Sequence, residues 1–118
     1  MDLLYTDIFL LHYHAPKNYG LHVPFDIEAK GENTLCGDSL TLRLTFARDC
    51  VQAISFESEG CVISRAASSL LFEYIKGKNR KEIKEFSPYA LFELLGITLT
   101  AARIKCVLLP LETIQKGV

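Results

Sequence analysis

In LTLRLTFARDCVQAISF, residues 40–56, apolar and polar residues alternate on both sides of the pair Arg48-Asp49. Alternation at every second position places one face of a strand in the core and the other toward solvent. A short polar break such as Arg48-Asp49 is typical of a tight turn between antiparallel strands. The stretch therefore predicts a β-hairpin with one buried face.

A third strand and a first helix are predicted ahead of this hairpin. Phe25, Ile27 and Ala29 alternate with polar residues, as in the hairpin itself. Residues 3–13 place apolar groups on one helical face, with Asp2 as a candidate N-cap, and the turn formers of residues 14–20 indicate an irregular loop.

After the hairpin the apolar spacing becomes helical. The buried stripe is expected at Ile63, Ala66, Ala67, Leu70, Leu71, Tyr74 and Ile75. Gly77 is expected to end this helix in the position that favours glycine. Two short helices should follow, opened by Asn79 with Glu82 and by Ser87-Pro88, the second stopping at Gly96.

A final helix is expected over residues 103–115, but Pro110 lies inside it. Proline removes one helical hydrogen bond, so the helix is predicted to be kinked there or to begin near Leu109. Cys106 would then lie at or near a helix start. The order of elements predicts an α+β fold, a small three-stranded antiparallel sheet with helices packed on one face, as one domain over residues 1–118.

Charge and apolar content exclude several classes of function. The 118 residues are 49% hydrophobic, enough for a core, and 13 basic against 14 acidic residues give a formal charge of -1. Binding of nucleic acid is not expected, because it requires a positive surface. The apolar run of residues 8–11 is short and follows Asp2 and Asp7, so neither an export signal nor a membrane span is expected. A cytoplasmic location is therefore expected.

Cysteines carry the chemistry. In the cytoplasm, cysteines serve as ligands or nucleophiles more often than they form disulfides. The separations between Cys36, Cys61 and Cys106 do not match a zinc knuckle, but Gly37 and Gly60 flank two of them, and glycine permits close approach of the backbone to a ligand.

Asp38 adds a fourth candidate ligand. Three thiolates and one carboxylate make a Cys3Asp set that suits zinc, and the same groups can hold an iron-sulfur cluster. Aspartate is a harder and weaker cluster ligand than a fourth thiolate, which suits a site that releases its contents.

Other candidate residues receive plainer interpretations. Cys50, in the presumed hairpin turn, is expected to be a bystander. His12 is expected to form a hydrogen bond that organises the following loop. His14 and His22 are expected to lie at the surface. The basic residues between Lys76 and Lys81 are expected to be solvated.

Motifs along nearly the whole chain resemble the iron-sulfur cluster assembly scaffold family, the IscU, SufU and NifU N-terminal domain proteins. The matching residues are His12-Tyr13, Pro16-Lys17-Asn18, Gly20, Asn33, Cys36-Gly37-Asp38, Phe56-Glu57, Glu59-Gly60-Cys61, Ile63-Ser64, Ala66, Ser68, Gly77-Lys78, Arg103 and Lys105-Cys106.

The resemblance implies a function and a site. Cys36, Asp38, Cys61 and Cys106 would receive sulfur from a cysteine desulfurase and assemble a [2Fe-2S] cluster for transfer to apo iron-sulfur proteins or carrier proteins. The same residues would also bind a zinc ion. Cys106 or Cys36 would be the persulfide acceptor.

Two departures leave the branch of the family open. Lys105 stands where IscU-type members have histidine and SufU-type members tend to have lysine, yet the interval from Cys61 to Cys106 lacks the insertion usual in SufU-type chains. Residues 99–103 also lack the prolines of the segment that IscU-type members present to an Hsp70-type chaperone, so binding of that chaperone is not expected.

Three functions therefore stand side by side. The first is a cluster scaffold, which is not an enzyme. The second is a zinc-dependent sulfurtransferase that relays persulfide sulfur, which Lys105 favours. The third is a structural zinc module that serves only in protein interactions, against which the size of the core argues.

Overall fold

The elements follow the order that the apolar spacing predicts. A computed structural model describes residues 7–21, 24–34, 37–96 and 100–118. The elements in these ranges are α1 (Asp7–His14), β1 (Ile27–Asn33), β2 (Asp38–Ala47), β3 (Cys50–Glu59), α2 (Val62–Ile75), α3 (Arg80–Glu85), α4 (Pro88–Leu95) and α5 (Ala101–Gly117). The predicted start of the first helix, before Asp7, lies outside the described residues.

The three strands form an antiparallel sheet in the order β1-β2-β3. Arg48 and Asp49 join β2 to β3 with φ angles of 55° and 64°. Two consecutive positive φ angles are the geometry that two-residue hairpins prefer. The predicted hairpin is confirmed, and the alternating residues Leu40, Leu42 and Leu44 point their side chains into the core.

Helices α2 and α5 pack on one another, and α5 also covers the inner face of β1. The predicted α+β architecture is therefore confirmed. One member of the predicted stripe on α2 is wrong, since Tyr74 is 44% exposed while Phe72 is fully buried. Tyr74 instead lies beside Phe86 and under the ammonium group of Lys78.

Helix boundaries follow the predicted capping signals. Asn79 and Glu82 form both hydrogen bonds of a capping box at the start of α3. Ser87 accepts a hydrogen bond from Ala90 at the start of α4, which ends at Gly96 in the left-handed conformation. Gly77, just beyond α2, has a φ of 84°.

Two strand boundaries differ from the prediction. Phe25 lies ahead of β1 and is 47% exposed, with the guanidinium of Arg43 over its ring at 4.5 Å. The carboxylate of Asp26 accepts a hydrogen bond from the backbone of Phe46, which holds this segment in an irregular course. At the connection between β1 and β2, Asp38 is the first residue of β2 rather than a residue of the preceding loop.

The last helix covers the predicted residues 103–115, and the alternative start near Leu109 is wrong. Helix α5 begins at Ala101 and continues through Pro110, so Cys106 lies inside the helix. One missing hydrogen bond does not end it, because burial of its apolar face stabilises a helix more than any single backbone bond. Val107, Leu111 and Ile114 supply that face. No helix in the described ranges combines the length and apolar character needed to cross a bilayer.

Candidate metal centre

Asp38 is the best-defined residue of the predicted site. It begins β2, is only 2% exposed, and accepts a 2.7 Å hydrogen bond at Oδ1 from the backbone amide of Cys61. Its second oxygen, Oδ2, is sealed from solvent and has no hydrogen-bond partner in the described part of the chain. Buried carboxylate oxygens are normally paired, so Oδ2 is available to a ligand.

Gly60 makes this contact possible. Its φ is 107°, and a Cβ atom at this position would lie 2.3 Å from Oδ1 of Asp38 and 3.0 Å from the carbonyl oxygen of Gly37. Any larger residue would therefore displace the carboxylate or the turn. The sequence marked Gly60 as a site of close approach, and the group approached is Asp38.

Cys61 is the N-cap of α2. Its sulfur accepts a 3.3 Å hydrogen bond from the amide of Ile63, and the side chain is half-buried. The N-terminal end of a helix carries partial positive charge, which suits a sulfur that ligates a cation as a thiolate. The junction between β3 and α2 thus holds both the sulfur of Cys61 and the backbone amide that binds the carboxylate of Asp38.

Cys106 lies on α5 and is 6% exposed. Close packing of α5 on β1 depends on Gly31, where a Cβ atom would lie 2.0 Å from Oγ1 of Thr113. Beside Cys106, the exposed Lys105 lines a groove of about 370 Å³ together with Asn33 and Thr34. The groove runs between the end of β1 and the first half of α5.

His12 plays the part expected of it. It is buried, and its Nδ1 lies 2.6 Å from Oγ of Ser69, which also accepts a 2.6 Å hydrogen bond from the amide of Lys17. Burial, and then the charge of Lys17, lower the pKa of His12, while Glu73 acts in the opposite direction. This hydrogen-bonded group anchors the loop after α1 to α2.

The next residues of that loop are held as well. Asn18 has a φ of 64° and donates a 2.9 Å hydrogen bond to Glu73, which is the largest cause of the lowered pKa of Glu73. Its backbone carbonyl accepts from Phe56 on β3. Sequence reasoning missed Ser69 and Glu73, although their spacing of four residues places them on one face of α2.

The predicted site residues are brought together only in part. Asp38 and Cys61 are in direct contact, and Cys36 lies outside the described residues. Within the described ranges no three His, Cys, Asp or Glu side chains are arranged to hold one metal ion.

Cys50 starts β3 at the end opposite Cys61, and Cys50, Cys61 and Cys106 are all thiols rather than disulfides. His14 is exposed as expected, and His22 lies outside the described residues.

Comparison with known proteins defines the class. The sequence pattern of the NifU-like N terminal domain matches residues 4–118, so the chain belongs to that family. Proteins of iron-sulfur cluster assembly are among its relatives, as the motifs had indicated.

Two relatives and one solved structure give this placement detail. The zinc-dependent sulfurtransferase SufU of Bacillus subtilis (strain 168) is 32% identical over 135 aligned positions, covering 100% of this chain and 91% of the relative. The iron-sulfur cluster assembly scaffold protein IscU of Thermotoga maritima is 30% identical, covering 98% and 92%. The crystal structure of a putative scaffold protein for the SUF system from Fervidobacterium islandicum AW-1 superposes with a TM-score of 0.78 at 25% identity, covering 97% and 96%.

Proposed function

We propose that this protein is a scaffold on which [2Fe-2S] clusters are assembled and from which they are transferred. Cys36, Asp38, Cys61 and Cys106 would hold the cluster, which is the protein's cargo. The observation that carries the proposal is the unpartnered, buried Oδ2 of Asp38 beside the sulfur-bearing turn at Cys61. A buried carboxylate oxygen without a partner is unfavourable until a cation or a donor reaches it.

The two oxygens of Asp38 have separate tasks in this proposal. Oδ1 is engaged by the amide of Cys61, so only Oδ2 is offered to iron or zinc. Ligation through one hard oxygen is weaker for an iron-sulfur cluster than ligation by a further thiolate. The cluster can therefore leave the scaffold when an acceptor protein offers thiolates.

Sulfur would arrive as a persulfide on a cysteine desulfurase. The thiolate of Cys106 or Cys36 attacks the outer sulfur, the sulfur-sulfur bond of the donor breaks, and the donor cysteine leaves as a thiolate. The outer sulfur is then bound to the scaffold cysteine as a new persulfide. No electrons are gained or lost in this exchange, and iron with a source of electrons is needed only for cluster formation.

A second candidate function, a zinc-dependent sulfurtransferase, has its own support. Lys105 precedes Cys106 and is exposed, so its charge is available to an incoming anionic sulfur group. The relative from Bacillus subtilis bears that name. In this case a zinc ion held by the same residues would remain in place while one cysteine relays the sulfur.

Anaerobic reconstitution separates the candidates. With iron, cysteine and a desulfurase, a scaffold develops the visible absorption of a cluster, and Cys61→Ser abolishes it while Cys50→Ser does not. Retained zinc with persulfide on the protein and no chromophore selects the sulfurtransferase. Unfolding by a chelator, with no sulfur ever reaching a thiol, selects a structural zinc module. Intact-mass measurement records metal and persulfide in the same spectrum.

A further inference from the structure

A buried amide nitrogen next to Asp38 has no use in the fold. Asn33 is the last residue of β1 and the cross-strand partner of Asp38. Its side-chain nitrogen, Nδ2, is sealed from solvent and has no hydrogen-bond partner among the described residues. Native proteins leave few buried donors in this state, and each one calls for an explanation.

Asn33 and Asp38 present their side chains on the same face of the sheet. Residues directly opposite each other in antiparallel strands share a face. That face is the inner one, because Leu40, two residues after Asp38, is buried and lies opposite Gly31, which contacts Thr113 of α5. The side chain of Asn33 therefore lies on the side of the sheet that α5 covers.

The two unpartnered atoms are complementary in kind. Asp38 offers an acceptor, Oδ2, and Asn33 offers a donor, Nδ2, yet the two are not hydrogen-bonded to each other. A bound metal ion satisfies the acceptor but has nothing to give the donor. The donor requires a hydrogen-bond acceptor, and the acceptors that a cluster or a persulfide would bring are sulfur atoms.

We propose that the side-chain amide of Asn33 donates an N–H···S hydrogen bond to sulfur bound at this site, as ligand thiolate, persulfide or cluster sulfide. Asn33 also lines the groove that contains Lys105, the residue before Cys106 in the sequence. Hydrogen bonds to sulfur stabilise its negative charge and tune the reduction potential of a cluster. This inference rests on the proposed function and adds a sulfur-binding residue to it.

Asn33→Leu and Asn33→Asp test the role, with Gln52→Leu as a matched control that replaces an exposed amide on β3 by the same apolar side chain. Neither replacement can donate from the side chain, and aspartate keeps an oxygen. Zinc affinity is measured by competition with a chromophoric chelator. The reduction potential is measured on the reconstituted cluster. Unfolding of the metal-free protein in urea is measured alongside.

Asn33→Leu is expected to have opposite effects on the metal-free and the loaded protein. Metal-free Asn33→Leu is as stable as wild type or more so, because a buried unsatisfied donor has been removed. In the loaded state Asn33→Leu shifts the reduction potential to more negative values and loses about 10-fold in zinc affinity. Gln52→Leu matches wild type in zinc affinity and reduction potential.

Two results overturn the assignment. The first is an Asn33→Leu variant with wild-type zinc affinity and reduction potential. The second is lost affinity in Asn33→Leu that Asn33→Asp fully restores, because the active group would then be an oxygen. If wild type and Gln52→Leu bind neither zinc nor cluster, the proposed function itself fails and the role of Asn33 with it.

Discussion

The backbone amide of Cys61 donates a 2.7 Å hydrogen bond to Oδ1 of Asp38, joining the turn that precedes α2 to the start of β2. Because of this bond, the carboxylate is oriented before any metal arrives. The same bond leaves one oxygen for ligation, so Asp38 has a structural task as well as a chemical one.

Substitutions at Asp38 separate those tasks. Asp38→Asn keeps an oxygen that can accept from Cys61, whereas Asp38→Ala leaves the amide without its acceptor. In the metal-free protein Asp38→Asn should be more stable than Asp38→Ala by about 1 to 3 kcal/mol, measured by urea unfolding. Both should retain zinc less well than wild type. Equal stability of the two variants would show that the bond does not hold the turn.

Gly60→Ala should damage the site from a position that ligates nothing. Its Cβ would meet Oδ1 of Asp38 at 2.3 Å, in addition to the strain of a φ of 107°. Gly77→Ala is the control, since its φ is 84° and no atom lies within 4 Å of the added Cβ. Strain alone costs roughly 1 to 2 kcal/mol, and overpacking adds about 1 to 3 kcal/mol.

Gly60→Ala should therefore unfold at a lower urea concentration than Gly77→Ala, and only Gly60→Ala should lose zinc affinity. Equal loss of stability in the two variants, with zinc binding intact, would contradict the crowding of Asp38.

Ser69→Ala should release the loop after α1. It removes the group that binds both Nδ1 of His12 and the amide of Lys17, at a cost of roughly 1 to 3 kcal/mol. Trypsin should then cut after Lys17 faster than in wild type. Ser68→Ala is the control, because Ser68 is equally buried but bonds only to the carbonyl of Ser64 within α2. Equal cleavage rates in both variants would refute the anchoring role.

Stability should depend on pH through His12. Its pKa is lowered from 6.5 in the folded protein, so the unfolded chain binds more protons at acidic pH. The contribution of the neutral imidazole is complete above about pH 6.5 and declines as the pH falls below it. His12→Gln should flatten the change in unfolding free energy between pH 7.5 and 5.5, while His14→Gln, at an exposed position, should keep the wild-type dependence. A slope unchanged by His12→Gln would exclude His12 as its origin.

Gly31→Ala should push α5 away from β1. The added Cβ would lie 2.0 Å from Oγ1 of Thr113, and overpacking of this kind costs about 1 to 3 kcal/mol. Thr113→Ala removes that oxygen, so the double variant should be more stable than the sum of the single effects predicts. Additive effects would show that the contact does not set the position of α5, and hence of Cys106.

Local patterns account for most of the fold. The hairpin at Arg48-Asp49, the capping box at Asn79 and the glycine after α4 depend on residues a few positions apart, so short-range rules predict them. Failures occurred where packing outweighed a local rule. Pro110 did not interrupt α5, because apolar burial on both sides of it maintains the helix.

The chemical groups of the site can be read from the sequence: thiols, a carboxylate beside a glycine, and the motifs of the family. How those groups are used depends on the tertiary fold. The fold brings Oδ1 of Asp38 into a hydrogen bond with an amide 23 residues away and places Cys106 within a helix that packs on the core. It also leaves Oδ2 of Asp38 and Nδ2 of Asn33 without hydrogen-bond partners in the described part of the chain. The physical reason is that hydrogen-bond partners and burial depend on which distant segments meet, and no local spacing rule encodes that meeting.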